Sequence, residues 1–317
     1  MEPVLEQTAA RIFADHRDAP DGVWSAMEEN GLTRLWVSEA HGGFGLPLAE
    51  GFGLARLAGA HALPVPIADT LIATWLLSEA GIDSPPGRMS FFIEGWHRGV
   101  AFGDRADHVV RIRGRLLSLH RGPVSGSCET VGEDPMRDAG GLTGEVIASG
   151  EMRDDIALPL AALTRAAQMC GALDAVLTLT IAFAGQRMQF GRPLSKFQAI
   201  QHLLSEMAAE AAAASAALDA AIATAHPGAP LDLQAVAVAK FRAGLAAGIV
   251  CEHAHQIHGA IGYTQEYALA RFTRRLWQWR EDFGGESYWA TKLGRAALRD
   301  GAALWPQLTA ARKIDRS

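Results

Sequence analysis

Residues 186–201 read QRMQFGRPLSKFQAIQ, and this stretch separates two long helical patterns of apolar residues. The pattern before it predicts a helix over Ile156–Gln189, and the pattern after it predicts a helix that ends near Ala225. The turn Gly191–Pro193 ends the first helix, and Ser195 is the predicted N-cap of the second. An arginine beside such a turn, close to unpaired helix N–H groups, can hold an anionic phosphate. The stretch therefore indicates two long helices with a candidate anion site between them.

The chain after this stretch is helical almost to its end. Asp232 is the predicted N-cap of a helix that ends at His258. Helices are also predicted over Gln265–Arg280 and Glu286–Leu308. Several long helices joined by short connections indicate an antiparallel bundle. We therefore assign residues 153–317 to a C-terminal four-helix bundle.

Two different regions precede the predicted bundle. Residues 1–87 carry apolar residues at helical spacing and predict an N-terminal helical domain. Residues 88–152 predict a small β domain, because short β-prone runs alternate with Gly, Pro and Asp. These runs are Phe91–Ile93, Val109–Ile112 and Leu116–Leu119. The predicted fold is mainly α, with a middle β domain between two helical parts.

Composition excludes several classes of protein. The 317 residues are 49% hydrophobic and 20% charged, which is enough for a large core in two or three domains. The net charge is −6, and because binding to phosphates needs a basic surface, no nucleic-acid partner is expected. Three widely spaced cysteines form no disulfide framework and favour a reducing compartment. No export signal is recognised at Met1-Glu2-Pro3, so we expect a cytoplasmic location.

The most apolar segment is Leu158–Ala184. A membrane span needs about 20 mostly apolar residues with few or no charges. Arg165 and Asp174 interrupt this segment. It is therefore predicted to be a buried helix, and no membrane span is expected.

Common catalytic and nucleotide-binding motifs are absent from the sequence. There is no glycine-rich phosphate loop and no Gly-x-Ser-x-Gly nucleophile motif. His253, His255 and His258 follow Cys251, and Cys251, His255 and His258 share one helix face. Neither a fourth ligand on that face nor a His-Glu-x-x-His pattern accompanies them, so no metal site is predicted. We interpret these histidines as packed or solvated residues of one helix.

Arg271, Arg274 and Arg275 form a basic stripe at helical spacing. Such a stripe can contact phosphates or the carboxylates of a partner. The simpler interpretation is a solvated or salt-bridged helix face.

A second informative stretch, residues 256–264, reads QIHGAIGYT. Its glycines would allow the backbone to approach a flat or phosphate-bearing ligand closely. The two stretches are far apart in the sequence, so only the fold can bring them together.

The stretches 186–201 and 256–264, taken together, make the chain resemble the acyl-CoA dehydrogenase family. Arg187 to Gln198 matches the family motif Arg-x-(Gln/Thr)-Phe-Gly-x-x-(Ile/Leu)-x-x-(Phe/His/Tyr)-Gln. Gln256 to Tyr263 matches Gln-(Ile/Leu)-x-Gly-Gly-x-Gly-(Tyr/Phe), with Ala260 in place of the second glycine. Residues 31–46 resemble the pattern of the first helical domain. The resemblance covers most of the chain and implies an N-terminal helical domain, a middle β domain and a C-terminal four-helix bundle.

The resemblance implies FAD as the cofactor and an acyl-CoA as the substrate. In the family, FAD lies between the β domain and the bundle, and a second subunit closes over its adenosine diphosphate half. Arg187 is expected to pair with the pyrophosphate, because a buried pyrophosphate needs charge-assisted donors. The residues expected at this half of the cofactor are Arg187, Gln189, Phe190, Gln198, Gln256 and Gly259.

The family reaction is α,β-dehydrogenation of an acyl thioester, and this chain departs from the pattern at the catalytic base. A carboxylate takes the α-proton while hydride leaves the β-carbon for the flavin. The usual base, a Glu before Gly-Thr, falls at Phe283, and the base position of the isovaleryl-type members falls near Ala161. Neither side chain accepts a proton. Glu281 and Asp282 are displaced candidates for a base.

The middle domain also departs from the family, because the Thr-Glu-Pro-x-x-Gly-Ser-Asp stretch that supports the flavin ring is absent. The β domain is thus reduced. Some family members are heteromeric, with one complete and one reduced subunit, and this chain resembles the reduced kind. The resemblance then implies a full-length acyl-CoA dehydrogenase subunit as partner, which supplies the base, and a bulky thioester such as a steroid side chain.

Two alternatives remain open. One is a self-sufficient homo-oligomer that uses Glu281 or Asp282 as the base. The other is a non-catalytic scaffold or acyl-CoA-binding protein. The electron acceptor is open between an electron-transfer flavoprotein and another acceptor.

Overall fold

The structure is a computed structural model that describes residues 1–16, 19–96, 99–128, 130, 132, 134–226 and 230–299. The N-terminal part consists of helices, as predicted. Proline occupies the first turn of α1 and α2, where a missing N–H leaves no hydrogen bond unmade. The helices are α1 (Pro3–Asp15), α2 (Pro20–Glu29), α3 (Leu48–His61) and α4 (Ile67–Glu79).

A small sheet follows and confirms the predicted β region. Its strand order is β1-β3-β4-β6, with β1 parallel to β3 and the other pairs antiparallel. The strands are β1 (Met89–Ile93), β3 (His108–Arg113), β4 (Leu116–Arg121) and β6 (Val146–Glu151). A separate ribbon pairs β2 (Gly99–Ala101) with β5 (Met136–Asp138). The sequence predicted β1, β3 and β4 but missed β2 and β5, which are only three residues long, and the exposed edge strand β6.

Long helices form the C-terminal part. A short hairpin of β7 (Met188–Gln189) and β8 (Arg192–Pro193) connects the first two of them. The helices are α5 (Ala157–Gln186), α6 (Gln198–Ile222), α7 (Leu233–His258), α8 (Ala268–Glu281) and α9 (Glu286–Arg299). The predicted extension of the last helix to Leu308 lies outside the described residues.

The helix starts of the bundle show one correct prediction and one error. Asp232 is the N-cap of α7, where its carboxylate accepts hydrogen bonds from the backbone N–H groups of Gln234 and Ala235. The prediction of Ser195 as the N-cap of α6 is wrong. Ser195 lies within a 3-10 turn, and Phe197 occupies the N-cap position.

The core is continuous between the N-terminal helices and the bundle, with α5 at its centre. Two glycines allow α3 and α5 to approach closely: a Cβ at Gly59 would lie 2.0 Å from the carbonyl oxygen of Gln168, and one at Gly171 would lie 1.8 Å from that of Arg56. By length and composition, the segments Ala157–Gln186 and Leu233–Tyr263 could each cross a membrane. They are core helices of this fold, because half or more of each apolar window is buried inside the molecule. The mainly helical fold with a small middle sheet is therefore confirmed.

Candidate functional site

The hairpin after α5 presents the predicted anion-binding residues to solvent. Phe190 and Gly191 form its turn, and both have positive φ, 49° and 77°. Arg187 and Gln189 are exposed, and 91% of Phe190 is exposed. Arg187 has no side-chain hydrogen bond or ion pair with any residue that the structure describes. A cation and an aromatic ring are thus largely exposed to solvent, and the Phe190 ring makes only an edge contact with Phe197, with 6.2 Å between the ring centroids.

The start of α6 lies against this hairpin and adds backbone donors. Leu194 donates its backbone N–H to the carbonyl oxygen of Arg187 at 2.9 Å, which holds the two segments together. The side chain of the N-cap residue Phe197 accepts no hydrogen bond, so the first N–H groups of α6 have no side-chain cap. Gln198, the first residue of α6, is exposed. The helix dipole and the neighbouring guanidinium of Arg187 both favour an anion here.

The second stretch lies at the same end of the bundle. The ring of His258, the last residue of α7, stacks on Phe183 with a centroid distance of 4.2 Å. Phe183 lies one turn before Arg187, which is the C-cap residue of α5. Gln256 and Gly259, on either side of His258, are exposed. The fold therefore brings both stretches to one exposed end of the molecule.

The three histidines of α7 have local partners. His253 contacts Glu206 at 2.9 Å, and the His255 ring stacks against Tyr263 at 4.1 Å between ring centroids. Burial lowers the pKa of both His255 and His258. Among the described residues, no group of three or more metal-ligating side chains is found. These histidines are part of the packing of α7.

The position of the usual family base, Phe283, lies in a closed core. The side chain is 3% exposed and stacks on Phe91 with ring centroids 5.5 Å apart and planes within 5°. Its backbone is left-handed, with φ 57°, which is uncommon for a residue with a Cβ. Ala161, at the alternative base position on α5, is 0% exposed.

A buried arginine fills the space beside Phe283. The guanidinium of Arg165 lies 5.4 Å above the Phe283 ring, and the residue is 5% exposed. Its Nε lies 3.1 Å from an oxygen of Asp282, an ionic contact rather than an aligned hydrogen bond. Nη2 lies 3.6 Å from Asp69, and Nη1 donates to Gln168 at 2.5 Å. We call Arg165, Asp69 and Asp282 the Arg165 cluster.

Desolvation controls the charge of Asp69 in this cluster. The residue is 4% exposed. Burial raises the pKa of Asp69 to about 6, although the Coulombic attraction of Arg165 acts in the opposite direction. The contact at 3.6 Å is too long to offset the loss of water. Asp69 therefore changes charge close to neutral pH.

A buried lysine holds the loop that carries Phe283. Lys240 is 2% exposed, and its Nζ donates to the carbonyl oxygens of Arg280 at 2.8 Å and Gly284 at 3.1 Å. Trp289 Nε1 donates to the carbonyl oxygen of Phe283 at 3.2 Å. Burial lowers the pKa of Lys240 to about 8. The loop is thus fixed through its backbone on both sides of Phe283.

The β region closes over α8 close to this loop. Asp134, 4% exposed, accepts hydrogen bonds from Arg275 Nε at 2.8 Å and from Trp279 Nε1 at 3.1 Å. Thr130 donates to the side-chain oxygen of Gln278 at 2.7 Å. The Trp279 ring also lies 5.7 Å from the guanidinium of Arg165. Buried polar contacts therefore occupy the seam between sheet and bundle.

The three arginines of the basic stripe on α8 differ in their exposure to solvent. Arg275 is 3% exposed and forms the ion pair with Asp134, whereas Arg271 and Arg274 are partly exposed. The salt-bridged interpretation therefore applies to Arg275, which is buried rather than solvated.

The displaced base candidates have different surroundings. Asp282 is turned toward Arg165 and belongs to the Arg165 cluster. Glu281, the last residue of α8, is exposed. The roles of both residues, and of the six residues expected at the cofactor, stay predictions.

The residues present suit the adenosine diphosphate half of FAD but not its isoalloxazine ring. Arg187 is exposed and has no side-chain partner within the described part of the chain, and together with the uncapped start of α6 it suits the pyrophosphate of a cofactor presented by another chain. The seam between sheet and bundle does not suit an isoalloxazine ring, because Phe283, Arg165 and Asp134 are packed into it. The residues present thus fit the adenosine diphosphate half only.

Sequence reasoning missed the buried polar residues Arg165, Asp69, Lys240 and Asp134 as a group. One signal was available, since Arg165 interrupts an otherwise apolar helix. Its partners come from other parts of the chain, so no spacing pattern could have identified them.

Comparison with known proteins agrees with this architecture. The C-terminal domain of acyl-CoA dehydrogenases matches residues 156–279. Acyl-CoA dehydrogenase IpdE2 of Mycolicibacterium smegmatis is 29% identical over 298 residues, which cover 86% of this chain and 91% of the relative. One chain of a Tcur3481–Tcur3483 steroid ACAD variant superposes with a TM-score of 0.79 at 25% identity, covering 94% of this chain and 98% of that one. A chain of the ChsE4–ChsE5 complex from Mycobacterium tuberculosis has the same fold, with a TM-score of 0.76 at 19% identity, and the match covers 94% of this chain and 97% of that one.

Fold, motifs and matches together define a class, the flavoprotein oxidoreductases that act on CH–CH bonds. Within this class, residues 156–279 match the C-terminal domain of the acyl-CoA dehydrogenase family, and the chain as a whole is similar to members of that family.

Proposed function

We propose that this chain is one subunit of a flavin-dependent acyl-CoA dehydrogenase. It binds the adenosine diphosphate half of FAD at a subunit interface, and a partner chain supplies the catalytic base. The observation that carries the proposal is that one chain combines a filled base position with an exposed hairpin arginine, Arg187, whose side chain has no partner among the residues that the structure describes. A chain with a complete active site of its own would instead need a base position that is accessible to substrate and occupied by a carboxylate.

The exposed end of the bundle is suited to bind the cofactor. Arg187 and the first N–H groups of α6 hold the pyrophosphate, because a cation and uncapped donors meet there. Gln189, Phe190 and Gln198 contact the same half of the cofactor from the hairpin side. Gln256 and Gly259 contact it from the end of α7, where glycine allows the backbone to come close. When bound, FAD accepts the hydride that leaves the β-carbon of the acyl thioester.

The surroundings of the base candidates support a base on the partner. Phe283 and Ala161 carry no group that can take a proton. Asp282 lies against the buried guanidinium of Arg165, with 3.1 Å between Arg165 Nε and a carboxylate oxygen. Glu281 is exposed to solvent. A base must lie within hydrogen-bonding reach of the α-carbon of a bound substrate. Neither Asp282 nor Glu281 lies in a site that would enclose the substrate.

The relatives support a heteromeric assembly and a bulky substrate. The chain superposes on one chain of a steroid ACAD and on one chain of the ChsE4–ChsE5 complex. We therefore propose a full-length acyl-CoA dehydrogenase subunit as partner and a steroid-type acyl-CoA as substrate. The complex would work in the cytoplasm and pass electrons to an electron-transfer flavoprotein or a similar acceptor.

Flavin content tests the partner requirement. The chain purified alone is expected to be colourless and inactive, and the chain co-expressed with a base-bearing acyl-CoA dehydrogenase subunit is expected to be yellow and active. A yellow, active lone chain would instead establish the homo-oligomer that uses Glu281 or Asp282. Absence of flavin from every complex of the chain would establish the scaffold or acyl-CoA-binding protein.

Arg187→Ala tests the cofactor contact within the complex. Loss of a charge-assisted contact of about 1.5–3 kcal/mol corresponds to FAD affinity lower by about 10- to 100-fold. Arg113→Ala is the matched control, because the Arg113 side chain is 78% exposed and lies on the sheet. Equal flavin retention in both variants would contradict the role of Arg187.

A further inference from the structure

Three aromatic rings connect the two stretches that are expected to contact the cofactor. Phe183 lies on α5, His258 is the last residue of α7, and Tyr267 is the N-cap residue of α8. We call these three residues the aromatic clamp. We infer that the aromatic clamp sets the position of Arg187 relative to Gly259, so that its members are positioning residues for FAD. The inference rests on the proposed function, because it concerns the same cofactor site.

Each ring of the aromatic clamp contacts the other two. The His258 ring stacks on Phe183 with centroids 4.2 Å apart and planes inclined by 27°. The centroid of the Tyr267 ring lies 5.2 Å from that of His258, and 6.1 Å from that of Phe183 in an edge-on arrangement. Stacked and edge-to-face pairs at such distances are favourable beyond the area that they bury. The rings therefore fix the ends of α5 and α7 and the start of α8 to one another.

On α5 and α7, a clamp residue lies where each helix stops packing against the core. Phe183 and Ala184 pack there, and all residues of 185–192 after them are exposed. On α7, His258 is 6% exposed and is followed by three exposed residues, 259–261. The placement of the exposed residues on both sides of the site thus depends on Phe183 and His258, which stack on each other.

His258 is oriented within the aromatic clamp by its own helix. Its Nδ1 donates to the carbonyl oxygen of Ala254, one turn earlier, at 2.8 Å. Because a carbonyl oxygen can only accept, this hydrogen bond places the proton of the neutral ring on Nδ1. Burial lowers the pKa of His258, which favours the neutral ring that stacks on Phe183. Gly259 follows directly with φ 65° and ψ −146°, a conformation essentially restricted to glycine, so the direction of the chain after α7 is fixed as well.

The aromatic clamp acts on FAD through the residues that it places. Arg187 lies one turn beyond Phe183. Gln256 and Gly259 lie on either side of His258. Charge-assisted hydrogen bonds depend on distance and angle, so a site held about 1 Å too loosely binds its ligand much more weakly. Loss of a clamp ring should therefore lower the affinity for FAD without removing a group that is expected to contact it.

Titration of the flavin-depleted complex with FAD tests the inference. Phe183→Ala is expected to lower the affinity for FAD by about 10-fold. Phe241→Ala is the matched control, because Phe241 is also a partly buried phenylalanine that packs against the core. It lies in the first half of α7, about 25 Å along the helix from His258, and its loss should leave the affinity unchanged. Equal losses of affinity in the two variants would overturn the inference.

A double-mutant cycle separates positioning from general stability. Phe183→Ala should lower the affinity for FAD by no more than about twofold when Arg187→Ala is already present, because the group that the clamp places is then absent. His258→Phe keeps a ring in place and should retain the affinity within about threefold, whereas His258→Ala should match Phe183→Ala. Additive losses in the cycle would overturn the inference and leave the proposed function standing, since Arg187 would still bind FAD. Unchanged affinity in Arg187→Ala would contradict the proposed function, and the inference with it.

Discussion

At the scale of single residues, Asp69 makes the stability of the fold depend on pH. Its pKa is raised to about 6 by burial, above the value of about 3.9 expected in the unfolded chain. The stability contributed by this carboxyl is therefore fully present below about pH 4 and is lost as pH rises through 6. The predicted loss is about 3 kcal/mol of unfolding free energy.

The measurement is urea unfolding of the wild-type chain and of Asp69→Asn at pH 4 and pH 7. Asparagine at position 69 does not titrate, so the difference between the two proteins reports the contribution of Asp69 together with its charge coupling to Asp282 and Asp134. Wild type should lose about 2 kcal/mol relative to the variant between the two pH values, because the unfolded carboxyl is already about half ionised at pH 4. A parallel pH dependence of the two proteins would show that Asp69 keeps an ordinary pKa.

The same cluster shows what a sequence can reveal about a single residue. Arg165 is visible as a charge within an apolar helix, but this helix is still apolar enough to cross a membrane, and its burial in the fold is what identifies it as a core helix. The pairing of Arg165 with Asp69 and Asp282 was not visible, because long-range contacts leave no periodic signal. Arg187 and Gln256 could be identified because each lies in a continuous stretch that matches a family motif. Their exposure to solvent could be learned only from the fold.

At the scale of elements, a buried ion pair joins the β region to the bundle. Asp134 accepts from Arg275 and Trp279, and its side chain is 5% exposed. Asp134→Leu is predicted to cost about 3–5 kcal/mol of unfolding free energy, because the Arg275 guanidinium stays buried without this carboxylate. Asp104→Leu is the control, since the Arg137–Asp104 pair is more exposed and should cost about 1 kcal/mol or less.

Denaturant unfolding followed by tryptophan fluorescence measures both variants, because Trp279 lies in the contact itself. A cost for Asp134→Leu no larger than that for Asp104→Leu would mean that sheet and bundle are held together by apolar packing alone.

Element boundaries were predicted well where local chemistry decides them. The carboxylate of Asp232 fixes the start of α7. Ser195 failed as an N-cap because the segment Leu194–Lys196 folds into a 3-10 turn before α6 begins. The short strands β2 and β5 depend on pairing with each other across a long stretch of chain, so their sequences alone carry little signal.

At the scale of the whole molecule, Phe190 links the fold of the lone chain to its assembly. It is 91% exposed at the tip of the hairpin, and its φ of 49° is a strained value for a residue with a Cβ. In the lone chain, this ring contributes little packing. In a complex, burial of such an aromatic side chain at the interface can contribute about 2 kcal/mol or more to the free energy of association.

Phe190→Gly should therefore affect the lone chain and the complex in opposite directions. The lone chain should keep or slightly raise its melting temperature, because glycine adopts positive φ without strain. Affinity for the partner subunit, measured by titration of the purified chains, should fall by about 10- to 100-fold. Val4→Ser on α1 is the control, since Val4 is also largely exposed but lies in the N-terminal helices. If Phe190→Gly destabilised the lone chain and left association unchanged, the hairpin would be a structural turn of this fold and the partner would bind elsewhere.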